Sequence, residues 1–438
     1  MSKPFQLLRP LAAPWQAHRV LLGNAFGMAG ASIVTAVLGF AYWLIAARSF
    51  PPETVGIVSA TIASMGFLGL VGDLGLGTAM MGHVGRFPGR VGALVGTALL
   101  LAALCSAVLA VCYIALLAGH SRELGAVAGT PLGAAIYVAG VAITGALLVF
   151  DQALMGMLLG RLQFWRNLAF ASVKLALLAA LALAHVGDPI LFFATWVAGQ
   201  AASVLLLAAA HWHRRAGWLQ RPSPRLMSGM GLTVLSHHAL NLATQAPGLL
   251  LPVLVTYMLS ARVNAAFFTA WTLMSVAFLV PASLTTSLYA VIARDTAALA
   301  RKMRFTLRAS LLFSALTIAG CLLLGGLVLR IFNPNYEIAA PALSIVALGM
   351  PAIALKYHYI ALKRIEEAMA SGLPLLGIDA ALELCGAALG ASLGGLTGLA
   401  LGWLAASYLA VVPMVLPVWR IVRHADADDA APLMSAAD

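Results

Sequence analysis

Long apolar runs alternate along the whole chain with short breaks rich in charge, proline or glycine. Each run is close to or above the roughly 20 residues that an α-helix needs to cross a bilayer. Because several runs exceed this length, we expect tilted helices or helix ends outside the lipid. The pattern predicts twelve spanning helices, at residues 21–47, 54–81, 91–118, 132–159, 165–185, 190–212, 231–257, 265–291, 305–328, 338–360, 372–391 and 396–419.

The composition agrees with a polytopic membrane protein. Of 438 residues, 62% are hydrophobic and only 9% are charged, whereas a soluble domain carries about 25% charged residues. This deficit excludes soluble enzymes, because so few charges cannot cover a water-exposed surface. The net charge of +11 is typical of basic loops beside anionic lipid headgroups. No segment predicts nucleic-acid binding.

The basic residues are distributed unequally between the two sides of the predicted spans. Twenty of them lie in segments on the side of the N-terminus, and two, Lys174 and Lys356, lie within spans. By the positive-inside rule, both termini are predicted to be cytoplasmic. The opposite side carries four: Arg48, Arg122, Arg262 and Arg330.

An internal repeat accompanies this arrangement. An offset of 210 residues places the first six predicted spans on the last six to within several residues. Because each repeat has an even number of spans, the halves enter from the same side, as in parallel repeats. The predicted organisation is therefore all-α: a cytoplasmic segment (1–20), a six-helix N-lobe (21–212), a basic linker (213–230), a six-helix C-lobe (231–420) and a disordered acidic tail (421–438).

Charged residues within spans are costly, at about 2.5–3.5 kcal/mol each on insertion scales. Asp151 and Lys174 lie at similar distances from the turn between the fourth and fifth spans, which predicts an ion pair. In the matching hairpin of the C-lobe, Lys356 precedes the turn, and Asp379 and Glu383 follow it on one helix face. Two interpretations stay open. The pairs fix lobe packing, or the lysines face a cleft and attract an anionic headgroup while the carboxylates exchange protons or cations.

The seventh span carries a polar stripe at helical spacing, formed by His237, Asn241, Thr244, Gln245 and Gly248. Such a stripe lines a water-filled cleft or bonds to neighbouring helices. Neither His237–His238 nor the four cysteines have the spacing of metal ligands, so no metal or cofactor is predicted.

Three further residues are structural or gating candidates. Arg48 and Glu53 are predicted to cap the outer end of the first hairpin. Asp73 lies in a glycine-rich segment, residues 72–77 (GDLGLG), that permits close helix approach.

Three segments give the chain a family resemblance. Residues 47–56 (ARSFPPETVG), 72–77 (GDLGLG) and 331–340 (IFNPNYEIAA) are similar to motifs of the polysaccharide transporters, the Wzx-type O-antigen and exopolysaccharide flippases. These belong to the multidrug/oligosaccharidyl-lipid/polysaccharide (MOP) exporter superfamily, which also contains the MATE transporters. Together with the 6+6 layout, the resemblance extends over nearly the whole chain.

The resemblance implies a non-enzymatic flippase that carries an undecaprenyl-pyrophosphate-linked oligosaccharide across the inner membrane by alternating access. It implies that Lys174 and Lys356 contact the pyrophosphate, and that His237, Asn241 and Gln245 contact sugar hydroxyls. Its partners would be membrane lipids and a polysaccharide polymerase or export machinery.

Two alternatives stay open. A MATE-type drug/cation antiporter would use a lobe carboxylate, Asp151 or Asp379, as its coupling site. A membrane polysaccharide polymerase or glycosyltransferase is disfavoured because all the predicted outer loops are short.

Overall fold

The computed structural model describes residues 34–86, 89–117, 121–210, 220–227, 231–292, 299–366 and 368–434, and this part contains no β-strand. Its 3₁₀ segments are Val84–Arg86, Pro224–Met227 and Pro334–Ala339. The α-helices are α1 (Val34–Ser49), α2 (Pro52–Gly72), α3 (Leu76–His83), α4 (Val91–Leu117), α5 (Gly125–Ala128), α6 (Pro131–Gly156), α7 (Gly160–Leu183), α8 (Pro189–Ala210), α9 (Gly231–Met258), α10 (Ala261–Ile292), α11 (Leu299–Phe332), α12 (Ala340–Leu348), α13 (Met350–Ile365) and α14 (Met369–Met434).

These helices represent all twelve predicted spans, although residues 21–33 of the first span lie outside the described residues. Nine described helices are long and apolar enough to cross a membrane, and the bent pair Pro334–Leu348 and Met350–Ile365 adds a tenth. α1 is a shorter apolar helix, and α14 has 66 residues with a break at Gly394 and Gly395, which is enough for two spans. The protein is therefore a multi-pass, all-helical membrane protein, as predicted.

One break inside a span and one turn between two spans depend on backbone conformation. Between α2 and α3, Leu74 and Gly75 have φ of 51° and 75°, and Gly395 has φ of 60° within α14. This left-handed region is readily accessible to glycine and uncommon for leucine. The second span is therefore interrupted at the GDLGLG segment, and the last two spans turn at Gly394 and Gly395.

The described residues form two compact units. The described residues of the first unit lie within Met1–Ala46, Leu68–Ala115 and Pro131–Val234. Those of the second unit lie within Ala47–Phe67, Leu116–Thr130 and Leu235–Asp438. Two short segments that precede residue 212, Ala47–Phe67 and Leu116–Thr130, thus pack with the second unit.

The part of the linker that the structure describes packs on the first unit. Gln220 accepts a hydrogen bond from the backbone N–H of Ala93 (3.0 Å) and donates one to the carbonyl of Gly89 (2.9 Å). The backbone N–H of Ser223 donates to Thr97 Oγ1 at 2.7 Å. The N-terminal segment 1–20 lies outside the described residues.

The last helix extends beyond the predicted twelfth span. α14 continues to Met434, and the expectation of a disordered acidic tail at residues 421–438 stays a prediction. Four of the fourteen residues 421–434 are alanine, the residue with the highest helix propensity.

Much of the apolar surface is exposed, which suits a lipid environment. On α11, Leu312, Leu316 and Leu323 are exposed and face away from the protein interior. In water such a surface would be unfavourable, whereas lipid tails solvate it at no cost.

Candidate functional site

A polar pocket of about 250 Å³ lies within the second unit. Three helices line this pocket, each with one face. α9 contributes Thr244 and Gln245, and the other two helices contribute residues at the i, i+3, i+4, i+7 spacing that shares one face of a helix. These residues are Ala282, Thr285, Thr286 and Tyr289 on α10, and Tyr357, Ile360, Ala361 and Arg364 on α13.

The pocket combines one cation with hydroxyl, phenol and amide groups. Arg364 is the charged residue among those that line it, and none of the lining residues is a carboxylate. Thr285 and Thr286 donate their hydroxyl protons to backbone carbonyls of α10. Because the protons are used in these bonds, the hydroxyl oxygens can act towards the pocket only as acceptors. A guanidinium presents five N–H donors in a planar fork that suits phosphate. The pocket can therefore bind an anionic group next to hydroxyl groups.

The predicted polar stripe of the seventh span only partly reaches this pocket. Gln245 and Thr244 line it, whereas His237 and Asn241 lie earlier on α9, outside the lining residues. Arg364 was missed because the charge pattern placed it in a cytoplasmic loop, while the structure places it in the last turn of α13. The sequence did contain a signal for this pocket, because Ala282, Thr285 and Thr286 have the i, i+3, i+4 spacing of one helix face.

The predicted ion pair of the C-lobe is present in the structure. The Lys356 ammonium lies 2.7 Å from Asp379 Oδ2 and 2.8 Å from Glu383 Oε1, and all three side chains are buried. Trp403 Nε1 donates to Glu383 Oε2 at 3.2 Å. One lysine facing two carboxylates has a net charge of −1 when all are ionised, so this cluster has room for one further proton.

The predicted Asp151–Lys174 pair is wrong. Asp151 Oδ2 instead accepts a hydrogen bond from Arg166 Nη2, at 2.5 Å. The tight turn lies at Leu158 and Leu159, so Asp151 and Arg166 are each seven residues away from it. Opposite charges at equal distances from the turn do form a pair, but the turn was predicted too close to Arg166. Arg166 is buried within α7.

Lys174 lies in an enclosure of aromatic rings in the first unit. Its Nζ is 3.5 Å from the ring centroid of Trp196, 4.4 Å from that of Phe170 and 4.8 Å from that of Tyr42. Its residue is only 4% exposed. Ring faces attract a cation through their quadrupoles. Lys174 has no ion pair among the described residues, so these rings stabilise its charge.

Arg48 and Glu53 do not form the predicted cap with each other. Arg48 donates two hydrogen bonds, of 3.0 and 2.7 Å, to the carbonyl of Ile331. Glu53 pairs with Arg262 at 2.8 Å. Although Arg48 and Glu53 are close in the sequence, the fold of the second unit places a different partner next to each of them.

The first and third of the segments that carry the family resemblance meet at this point. Besides the bonds from Arg48, Asn333 donates from its amide to the carbonyl of Ala47 at 2.6 Å. Nearby, Asn264 Nδ2 donates to Gly56 O at 2.9 Å and to Ser59 Oγ at 3.0 Å. The sequence analysis missed Asn264, which lies one residue before the predicted eighth span. It is fully buried and ties α2 to α10.

Asp73 has a local structural role. Its Oδ1 accepts a hydrogen bond from the backbone N–H of Gly77 at 2.8 Å. This carboxylate therefore satisfies a donor at the start of α3, where helix N-termini leave such groups without intrahelical partners.

No protein-family model matches the sequence, and no curated protein matches it. Several solved structures resemble it over most of its length. An inward-facing multidrug resistance MATE family transporter of the MOP superfamily has a TM-score of 0.71 and 14% identity, covering 88% of this chain and 94% of its own. The lipid II flippase MurJ in an inward closed conformation has a TM-score of 0.69 and 13% identity, with coverages of 90% and 89%.

A third structure broadens the comparison. It is a MOP superfamily transporter from Pyrococcus furiosus, described by a reversed polarity of its binding pocket, with a TM-score of 0.62 and 14% identity, covering 92% of this chain and 95% of its own. At such low identity these likenesses show the fold alone. The chain therefore has the fold of the MOP superfamily transporters.

Proposed function

We propose that this protein is a flippase that moves a lipid-linked oligosaccharide, carried on undecaprenyl pyrophosphate, from the inner to the outer leaflet of the bacterial inner membrane. The cargo would serve surface polysaccharide biosynthesis, such as O-antigen or exopolysaccharide, and a polymerase or export machinery would receive it. The fold, which a lipid II flippase shares, is compatible with this proposal.

The charge distribution carries the proposal. Every carboxylate whose side chain the structure describes already faces a cation or a backbone N–H. Within the spans these carboxylates are Asp151 with Arg166, Asp379 and Glu383 with Lys356, and Asp73 with Gly77.

A cationic drug needs an available acid, because a buried charge without a partner is costly. By contrast, Arg364 faces an open polar pocket without a carboxylate among its lining residues. This balance favours an anionic cargo over the cationic cargo of a drug antiporter.

The Lys356 cluster provides a coupling group for the proposed transport cycle. Its two carboxylates share one ammonium, so it can take up and release a proton without losing its ion pair. Asp379 and Glu383 are the proposed coupling residues. Their protonation would change the electrostatic balance between α13 and α14 and favour one conformation over another.

The test is flipping by the purified full-length protein in proteoliposomes. The vesicles contain a fluorescent undecaprenyl-pyrophosphate-linked oligosaccharide, and a membrane-impermeant quencher reports how much of it reaches the outer leaflet. We expect protein-dependent exchange between leaflets, which protein-free vesicles lack.

Two other outcomes would contradict the proposal. Proton-driven uptake of ethidium into inverted vesicles, without flipping, would identify a drug/cation antiporter. Incorporation of sugar into a longer glycan by the protein alone would identify a polymerase or glycosyltransferase.

A further inference from the structure

The pocket on α9, α10 and α13 combines one cation with neutral polar groups. Arg364 lies at one end of the α13 face and Tyr357 lies two turns earlier, while Tyr289 is at the end of the α10 face. Threonine oxygens and the Gln245 amide complete the lining. An arginine supplies strong charge-assisted hydrogen bonds to phosphate. Phenol, amide and hydroxyl groups supply the alternating donors and acceptors that sugars need.

Arg364 is better placed to bind an anion in this pocket than Lys174, Lys356 or Lys363. Lys356 is engaged by Asp379 and Glu383, and Lys363 pairs with Glu366 at 2.8 Å. Lys174 is surrounded by rings. Among the described residues Arg364 has neither an ion pair nor a hydrogen bond from its side chain, and it is exposed. Its guanidinium is thus available to a ligand.

The pocket volume limits what the site accommodates. Sites for drug-sized ligands are usually about 300–1,000 Å³, and this one is about 250 Å³. It therefore suits one phosphate-bearing sugar unit and not a whole oligosaccharide.

We infer that this pocket is the subsite for the head of the cargo: Arg364 binds the phosphate and Tyr289, Tyr357 and Gln245 bind the first sugar. This inference rests on the proposed function. It replaces Lys174 and Lys356 as the phosphate-binding groups and keeps Gln245 as a sugar contact.

Binding measurements on the full-length protein in nanodiscs test the inference. The probes are undecaprenyl-pyrophosphoryl-N-acetylglucosamine, undecaprenyl pyrophosphate and inorganic pyrophosphate. We expect Arg364→Gln to weaken binding of both lipid probes by about tenfold or more, because a charged hydrogen bond is lost. Tyr289→Phe combined with Gln245→Ala should weaken only the sugar-bearing probe, so that the two lipids bind alike.

Lys363→Gln is the matched control, because it removes an adjacent positive charge that does not line the pocket. Equal weakening by Lys363→Gln and Arg364→Gln would overturn the site, since it would reflect surface charge alone. Arg364-dependent binding of inorganic pyrophosphate without binding of either lipid would identify a soluble anion and overturn the lipid assignment.

The flipping assay separates this inference from the proposed function. Flipping by the wild type with unchanged binding and flipping in Arg364→Gln would overturn the subsite and leave the flippase intact. A wild type that neither flips nor binds the lipid probes would overturn both. Impaired binding and impaired flipping in Arg364→Gln, with normal behaviour of Lys363→Gln, is the expected result.

Discussion

Lys174 and Lys356 are both buried in apolar helices, but they have opposite electrostatic surroundings. Two carboxylates compensate Lys356, whereas aromatic rings surround Lys174. Removing one partner of a buried ion pair leaves the other charge uncompensated, which costs more than the pair itself contributes. Substitutions of these two lysines should therefore have different consequences.

Lys356→Met should destabilise the protein strongly, by about 3–5 kcal/mol, because it leaves Asp379 and Glu383 buried without their cation. The thermal unfolding midpoint of the purified protein in detergent measures this effect. A triple variant with Lys356→Met, Asp379→Asn and Glu383→Gln removes all three charges and should recover most of the loss. A single variant as stable as the wild type would show that the cluster is solvated.

Lys174→Met should leave the unfolding midpoint equal to or above that of the wild type. Methionine has a similar shape and contacts aromatic rings favourably through its sulfur, and the substitution removes the cost of a buried ammonium. A large loss of stability would instead show that the cation–ring contacts stabilise the fold. Flipping by this variant decides whether the charge itself has a transport role.

The sequence predicted buried ion pairs from the distances of charges to hairpin turns. This succeeded for Lys356 because the turn near residue 366 was placed correctly, and it failed for Lys174 because the turn after α6 lies at Leu158 and Leu159. Neither the aromatic enclosure of Lys174 nor the partners of Arg48 follow from local spacing. They depend on contacts between residues up to 283 positions apart.

At the scale of elements, α2 and α10 approach each other so closely at Gly56 that a Cβ atom does not fit there. A Cβ atom at Gly56 would lie 1.7 Å from the carbonyl oxygen of Ala261, and the Asn264 amide holds the same contact. The first half of α2 is therefore fixed to the start of α10 by backbone packing as well as by polar groups.

Gly56→Ala should lower the unfolding midpoint, because overpacking typically costs about 1–3 kcal/mol. Gly377→Ala is the matched control: Gly377 is also within a helix, but a Cβ there has no atom within 4 Å. The control should raise stability by up to about 1 kcal/mol through helix propensity. Effects of the same sign and size would contradict the close approach of α2 and α10.

Most helix ends were predictable to within several residues because hydrophobic length alone defines a span. The breaks inside the spans were not predictable from hydrophobic length. The 42° bend between Pro334–Leu348 and Met350–Ile365 and the left-handed residues Leu74 and Gly75 preserve the apolar pattern. A hydropathy pattern is therefore continuous across them, and only backbone geometry shows the interruption.

At the scale of the whole molecule, the sequence predicts a repeat and an orientation, but the contacts within the two units did not follow from it. The segment Ala47–Phe67 packs with the second unit, although it precedes the linker by more than 140 residues. An offset between spans predicts which helices correspond, but packing decides which helices contact each other.

The orientation in the membrane is the prediction that the whole charge pattern supports. Twenty basic residues on one side against four on the other should keep the first side in the cytoplasm. Alkaline phosphatase, which is active only outside the cytoplasm, should be active when fused after Gly394, the turn between the last two spans, and inactive after Arg423. Green fluorescent protein at the same positions should give the reverse result. If both reporters show the opposite pattern, the protein is inverted, the Arg364 pocket would receive its ligand from the other leaflet, and the proposed direction of transport would be wrong.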